Sequence, residues 1–243
     1  YNLMFVPDEV NKISYATSFG VGAIPWYQLS RTCKYLQRIE HLSVREIKGA
    51  EIIRNIADRD AKVVCDPTLL LTKEEWANQI PTRRVVDGKY IFCYFLGKNE
   101  EHRKLAKMLK EKCGYKIICT PFLDSFVECD LTFGDEQLFD IGPDDFVNLI
   151  RHAEYILTDS FHGSVFSIIH NKQFLVLNRF SEGGQSRNSR IDSLCSLLGL
   201  EKRRFKDNIY SEMIEPIAYN TVEEKLSDLR SESIQFLKES LER

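Results

Sequence analysis

His162 and Gly163 stand together in Glu154–Asn178, EYILTDSFHGSVFSIIHNKQFLVLN, just after an apolar run and a polar break. A histidine carries a proton near neutral pH, and a glycine beside it lets a ligand approach the backbone. Asp159 and Ser160 immediately precede the pair. Ser160 suits a helix N-cap, and the first amides of a helix lack internal partners and attract an anion. Such a set could do acid–base chemistry beside a bound phosphate or carboxylate. A plainer reading is equally open: Ser160 caps a helix, Gly163 is there for packing, and His162 is a partly buried histidine bonded to a carbonyl. Arg45, in Leu42-Ser43-Val44-Arg45-Glu46, is the second candidate. Ser43 and Glu46 have capping-box spacing, which leaves Arg45 unexplained. Its planar fork suits a carboxylate or phosphate, against the alternative of a surface ion pair. Arg179, Arg187 and Arg190 flank Gly183-Gly184, as in a flexible basic loop that closes over an anionic ligand or in an ordinary charged surface loop.

These residues need elements to hold them. Tyr155–Leu157 is short and apolar, as a buried parallel strand must be. Phe161, Val165, Ile168 and Ile169 follow at helical spacing, Asn171 suits the helix exit, and Phe174–Leu177 is the next strand. His162 then sits where a strand gives way to a helix, the place where open α/β sheets bind ligands. Upstream, Lys12–Thr17 reads as a strand, SFGVGAIP as a loop and Pro25–Ile39 as a helix. Ser18, Gly20 and Gly22 of that loop could cradle a phosphate, although a plain turn is the favoured reading. A helix from Glu46 to Ala57, a KVVC strand at 62–65 and a turn at Asp66-Pro67 come next. Asp66 is a turn residue first, with a second role of holding Arg45. Thr72 and Glu75 form another capping box.

The polar stretch 78–88 is the best interdomain linker. Tyr90–Phe95, His102–Cys113 and Tyr115–Cys119 then make a β-α-β unit, which implies a parallel sheet. Lys98, in the turn after the first of these strands, is read as a solvated lysine that could meet an anion. Phe122–Gly142 is long, irregular and acidic, either a wall of an acceptor site or a solvated loop. Pro143 suits the first turn of a helix over Asp144–His152, Ser189 the cap of a helix over Arg190–Leu198, and Thr221–Arg243 forms a long amphipathic helix. The resulting division is 1–80, 81–220 and a terminal helix 221–243.

Composition narrows the class. The 243 residues carry a net charge of −3 with both signs mixed along the chain, which argues against a nucleic-acid surface. No apolar run reaches membrane-spanning length and no signal peptide is visible. The seven cysteines are scattered without a CxxC pair, as expected of reduced, buried thiols in a cytoplasmic protein with no zinc site.

The segment TDSFHGSVFSIIHNKQF resembles the polysaccharide pyruvyl transferase family, which carries a strand–turn–helix with a central histidine-glycine pair in the second of two Rossmann-like domains. SVRE at 43–46 is similar to the family's arginine–acid pair in the first domain, and DPTLLLTKEEW at 66–76 to the run that closes that domain. The resemblance implies an α/β fold of two Rossmann-like domains facing a cleft (GT-B-like) with parallel sheets. The chain begins at Tyr1 and lacks the family's opening Gly-rich portion, so the first domain is expected to be incomplete. The implied activity is transfer of the pyruvyl group of phosphoenolpyruvate to a sugar of a cell-surface polysaccharide or its precursor, giving a cyclic ketal and phosphate. The implied roles are His162 as general acid and base, Arg45 with Arg187 or Arg190 as anion clamps, and the Ser160–Gly163 amides as a phosphate seat. No cofactor or metal is required beyond the donor. The acceptor would be a free, lipid-linked or nucleotide-linked oligosaccharide, with peripheral membrane association possible. Many relatives place arginine two residues before the histidine, where this chain has Ser160. The alternatives are a glycosyltransferase of the two-Rossmann type using a nucleotide sugar, and a non-catalytic sugar- or anion-binding module.

Overall fold

The computed structural model describes residues 3–122, 126–179 and 188–242. The first elements are β1 (Ile13–Thr17), α1 (Leu29–Gln37), β2 (His41–Val44), α2 (Ile47–Ala57), β3 (Lys62–Val63) and α3 (Lys73–Gln79). There follow β4 (Tyr90–Tyr94), α4 (Glu100–Cys113), β5 (Lys116–Cys119), β6 (Glu136–Gln137), α5 (Pro143–His152) and β7 (Tyr155–Thr158). The chain ends with α6 (Phe161–Ile169), β8 (Gln173–Val176), α7 (Ser189–Leu198), α8 (Ile209–Ile214) and α9 (Tyr219–Leu241). Every strand pairing is parallel, so the expected α/β class with parallel sheets is the class observed.

The chain forms two compact units. The first holds residues up to Leu70 together with α7 and all but the first residue of α9. Its sheet has the order β1-β2-β3, packed on a core of Leu36, Leu42, Val44, Ile53 and Ala57. The returning helix α9 is tied to the last strand and the turn after it. Ser233 Oγ accepts the Cys65 amide at 2.9 Å, and Arg230 Nε donates to the Leu69 carbonyl at 2.6 Å.

The second unit holds Leu71–Arg179 and Leu200–Tyr219. Its sheet has the order β6-β5-β4-β7-β8, the Rossmann succession of a doubly wound sheet. Ile91, Cys93, Leu157 and Leu175 on one sheet face meet Ala106 and Leu109 of α4 and Met213 of α8 in its core. The unit boundary falls at Leu70–Leu71, ahead of the stretch 78–88 expected as the linker. Hydrogen bonds explain the shift. Arg151 reaches the Ile80 carbonyl at 2.6 Å, and Asn148 of α5 both donates to Pro81 O and accepts from Arg83 N, each at 3.2 Å. Trp76 of α3 packs edge-on against Phe166 of α6, ring centroids 5.1 Å apart, so α3 belongs to the second unit.

The acidic loop 122–142 is a strap on the sheet in its described part. Asp130 is buried against Arg103 of α4. Asp135 accepts the Ile117 amide at 2.7 Å, and Glu136 enters edge strand β6. These acids have structural duties that neither a solvated loop nor an acceptor wall requires.

Candidate active site

In the second unit the chain winds outward from β4 through β5 to β6, then returns to add β7 and β8 on the other side of β4. The reversal lies between β4 and β7, and ligands of such sheets bind outside the strands' carboxyl ends at this reversal. The loop Phe95–Asn99 leaves β4 there, and Asp159-Ser160 leaves β7. His162 is exposed in the first turn of α6, while Phe161 and Gly163 on either side are buried.

The turn under His162 is held from within. Ser160 Oγ accepts the Gly163 amide at 3.3 Å, capping α6. The Ser160 amide donates to Thr158 Oγ1 at 3.0 Å, and Thr158 Oγ1 donates to the Tyr94 carbonyl at 2.7 Å. A Cβ on Gly163 would stand 2.5 Å from Thr158 Oγ1. At the two ends of the phosphate seat expected across the Ser160–Gly163 amides, the Ser160 and Gly163 amides are bonded within the chain. Ser160 and Gly163 shape the turn that carries His162, which is the plainer of the two sequence readings for them.

Asp159, one residue earlier, joins the two loops. Its Oδ1 accepts the Leu96 amide at 2.7 Å. Its Oδ2 lies 3.6 Å from His102 Nδ1, and both of these buried atoms lack a hydrogen-bond partner. The Asn99 side-chain nitrogen stands 3.2 Å from His102 Nε2. An amide NH2 can only donate there, which leaves the ring proton on Nδ1, toward Asp159. A Cβ on Gly97 would meet Asp159 Oδ2 at 3.2 Å, so the glycine lets the loop lie over the carboxylate. Arg103 fixes the same loop from the other side, donating to Gly97 O at 2.9 Å and Asn99 O at 3.0 Å while its fork holds Asp130. Lys98 is exposed. Sequence reasoning passed over His102 and Arg103. The signal for them is three-dimensional, since Asp130 and Asp159 lie far along the chain.

In the first unit Arg45 follows β2 at the carboxyl edge. Its Nη1 is 2.5 Å from Asp66 Oδ2. Burial alone would raise the Asp66 carboxyl, but the amide and hydroxyl of Thr68 and the Arg45 guanidinium outweigh it and hold it below the usual carboxylate range. Asp66 thus fills both roles read from sequence, turn and partner of Arg45. Arg45 also lines an open cavity of about 900 Å³ beside β1, together with Tyr15, Phe19 and the core residues Leu36, Leu42 and Ile53. Ser43 does not cap α2. It is fully buried in β2, where its Oγ donates to Ser14 O at 2.7 Å and accepts from Ala16 N at 3.0 Å. Glu46 is the N-cap residue of α2, and its Oε1 accepts from Ser18 Oγ at 2.8 Å and Phe19 N at 3.0 Å. A carboxylate of the chain therefore occupies the SFG loop considered as a phosphate cradle, and the plain turn is what forms.

Arg190 lies in the first turn of α7, whose N-cap is Asn188 rather than Ser189. Arg187 and Gly183-Gly184 lie outside the described residues. All seven cysteines are free, and burial together with Asp130 pushes the Cys119 thiol up to about 12, where it is chemically quiet. Among the described residues no group of three or more His, Cys, Asp or Glu is placed to hold a metal ion.

A parallel doubly wound sheet with an exposed histidine at its reversal point defines an α/β protein of the kind that binds ligands at its strand ends. A family model described as polysaccharide pyruvyl transferase matches residues 1–181, and the chain belongs to that family. No curated protein matches the sequence. Among solved structures, UDP-GlcNAc 2-epimerase from Neisseria meningitidis bound to UDP-GlcNAc is 13% identical, over 87% of this chain and 66% of its own, with a TM-score of 0.48. Wall teichoic acid polymerase TagF is 12% identical, over 99% of this chain and 65% of its own, with a TM-score of 0.43. UDP-GlcNAc 2-epimerase from Methanocaldococcus jannaschii is 15% identical, over 78% and 62%, with a TM-score of 0.41. The chain thus spans 66% or less of the length of each of these proteins, and likenesses this distant carry no conclusion about activity.

Proposed function

We propose that the chain works in transfer of the pyruvyl group of phosphoenolpyruvate to a sugar of a polysaccharide or its precursor. Family membership supports a polysaccharide-modifying transferase, and the observation that carries the reading further is the exposed His162 on a rigid turn at the strand ends. The reaction needs a proton delivered to the methylene carbon of the enol, which leaves a cation at C2. A sugar hydroxyl adds to C2 and gives up its proton, a second hydroxyl displaces phosphate, and a ketal remains. His162 is the group that delivers and recovers a proton. Arg45, Arg187 and Arg190 are the cations proposed for the donor's carboxylate and phosphate, and Ser160 and Gly163 hold the turn.

Phosphate release from phosphoenolpyruvate in the presence of acceptor tests the role of His162. His162→Asn is expected to slow release by roughly a hundred- to ten-thousandfold. The melting temperature should not change, because the side chain is exposed. Turnover unchanged in this variant, with donor binding intact, removes His162 from the chemistry.

A further inference from the structure

A short 3-10 turn, Trp26–Gln28, runs straight into α1. Every residue from Pro25 to Arg31 is exposed. Trp26 keeps 83% of its surface open and Tyr27 66%, with Leu29 exposed beside them. The two rings meet edge to face, at 89° with centroids 6.0 Å apart, so neither covers the other. Scattered exposed apolar residues are ordinary. Three large ones in a four-residue projection are a feature that needs a partner.

The sequence around this tip carries charge of one sign, with the exposed Asp8 the acid that approaches its cations in space. From Val10 to Ile39 the sequence has four cations, Lys12, Arg31, Lys34 and Arg38, and no acidic residue. Two of the four are committed elsewhere. Lys12 is buried with its amine on the Pro7 and Val10 carbonyls, and Arg38 pairs with Asp8 at 2.7 Å. Glu46, the nearest acid in the fold to the preceding loop, is buried on that loop's amides. Arg31 and Lys34 remain exposed, Arg31 with its Nε on the Tyr35 hydroxyl and its guanidinium over the Tyr35 ring, and they continue the stripe of Tyr27 at helical spacing.

Indole and phenol rings settle at the headgroup level of a bilayer, where the ring is half in hydrocarbon and its polar edge stays wet. Neighbouring Lys and Arg add attraction to anionic lipid. A protein partner would need a broader complementary patch than this projection offers, and ring stacking on a neutral sugar would not call for the cations. No helix among the described residues is long and apolar enough to cross a membrane, so contact at this tip would be peripheral. We propose that Trp26, Tyr27 and Leu29, with Arg31 and Lys34, form a docking tip for an anionic phospholipid surface.

Trp26 can report on its own docking, because Trp76 is the only other tryptophan. In a Trp76→Phe background, vesicles with 30% phosphatidylglycerol in phosphatidylcholine should shift Trp26 emission to shorter wavelength and carry the protein down on sedimentation. Pure phosphatidylcholine vesicles should do neither. Arg31→Gln/Lys34→Gln should weaken partitioning about twenty-five-fold, roughly fivefold per charge, and Trp26→Ser/Tyr27→Ser should abolish it with the circular dichroism unchanged. Three results would overturn the proposal: no shift and no sedimentation, equal partitioning onto neutral vesicles, or a shift that follows protein concentration without vesicles and so marks self-association. A shift produced by neutral hexasaccharides and not by vesicles would replace the lipid with a glycan.

Discussion

His170 ends α6 with both ring nitrogens buried and without a hydrogen-bond partner, its ring stacked parallel to Phe166. Burial first, and then the cations Arg151, Lys73 and Lys172, push its pKa down to about 3. An unfolded histidine titrates near 6.5, so below that pH the unfolded chain takes up a proton that the folded chain refuses. The stabilising contribution is therefore complete above about pH 6.5 and is lost as pH falls toward 3, by at most about 1.4 kcal/mol per pH unit. His170→Leu is expected to flatten that slope. Urea midpoints measured from pH 7 to pH 4 check this, and a variant whose stability falls as steeply as the parent's would show that His170 is not responsible. His162, only eight positions away, is exposed. Two histidines on one helix thus have opposite surroundings, and only the exposed one is available to a substrate.

The approach of α6 to β7 depends on a missing side chain. Thr158 Oγ1 occupies the space a Cβ on Gly163 would need, and it is already bonded to the β4 carbonyl and the Ser160 amide. Gly163→Ala must push α6 away or break that hydroxyl's bonds, at a cost of about 1–3 kcal/mol. Chemical denaturation measures this directly, and a loss below about 0.5 kcal/mol would mean the helix is not tightly seated. The strand–turn–helix around Gly163 was legible because its signals are local: an apolar run, an N-cap serine, a helical period and Asn171 in the left-handed region at the exit, φ 54°. The capping box of Thr72 and Glu75 was legible for the same reason, and both of its bonds form. Ser43 and Glu46 show the limit of that logic. Their spacing is the same, yet Ser43 points into a sheet and Glu46 reaches back to a loop, because burial of β2 decides the matter. Arg103 with Asp130, and His102 with Asp159, are invisible to any local pattern, since the sheet order alone brings them together.

At the scale of the whole molecule, the chain leaves the first unit, builds most of the second, returns for α7, goes back to the second for α8 and closes the first with α9. The return through α7 and α9 was not readable from composition, because amphipathic helices declare that they pack but not against what. The hydrogen bonds of Ser233 to Cys65 N and Arg230 to Leu69 O settle where α9 belongs. The polar stretch 78–88 looked like a linker by its proline and glycine, yet its backbone is bonded to α5. The central claim concerns the donor. Calorimetric titration of the full-length protein with phosphoenolpyruvate, run beside UDP- and GDP-sugars and repeated on Arg45→Lys, addresses it most directly. Lysine keeps the charge beside Asp66 but loses the planar fork, so the fold should survive while anion binding weakens. The account predicts saturable phosphoenolpyruvate binding that weakens tenfold or more in the variant, with no comparable nucleotide-sugar binding; nucleotide-sugar binding without phosphoenolpyruvate binding would contradict it.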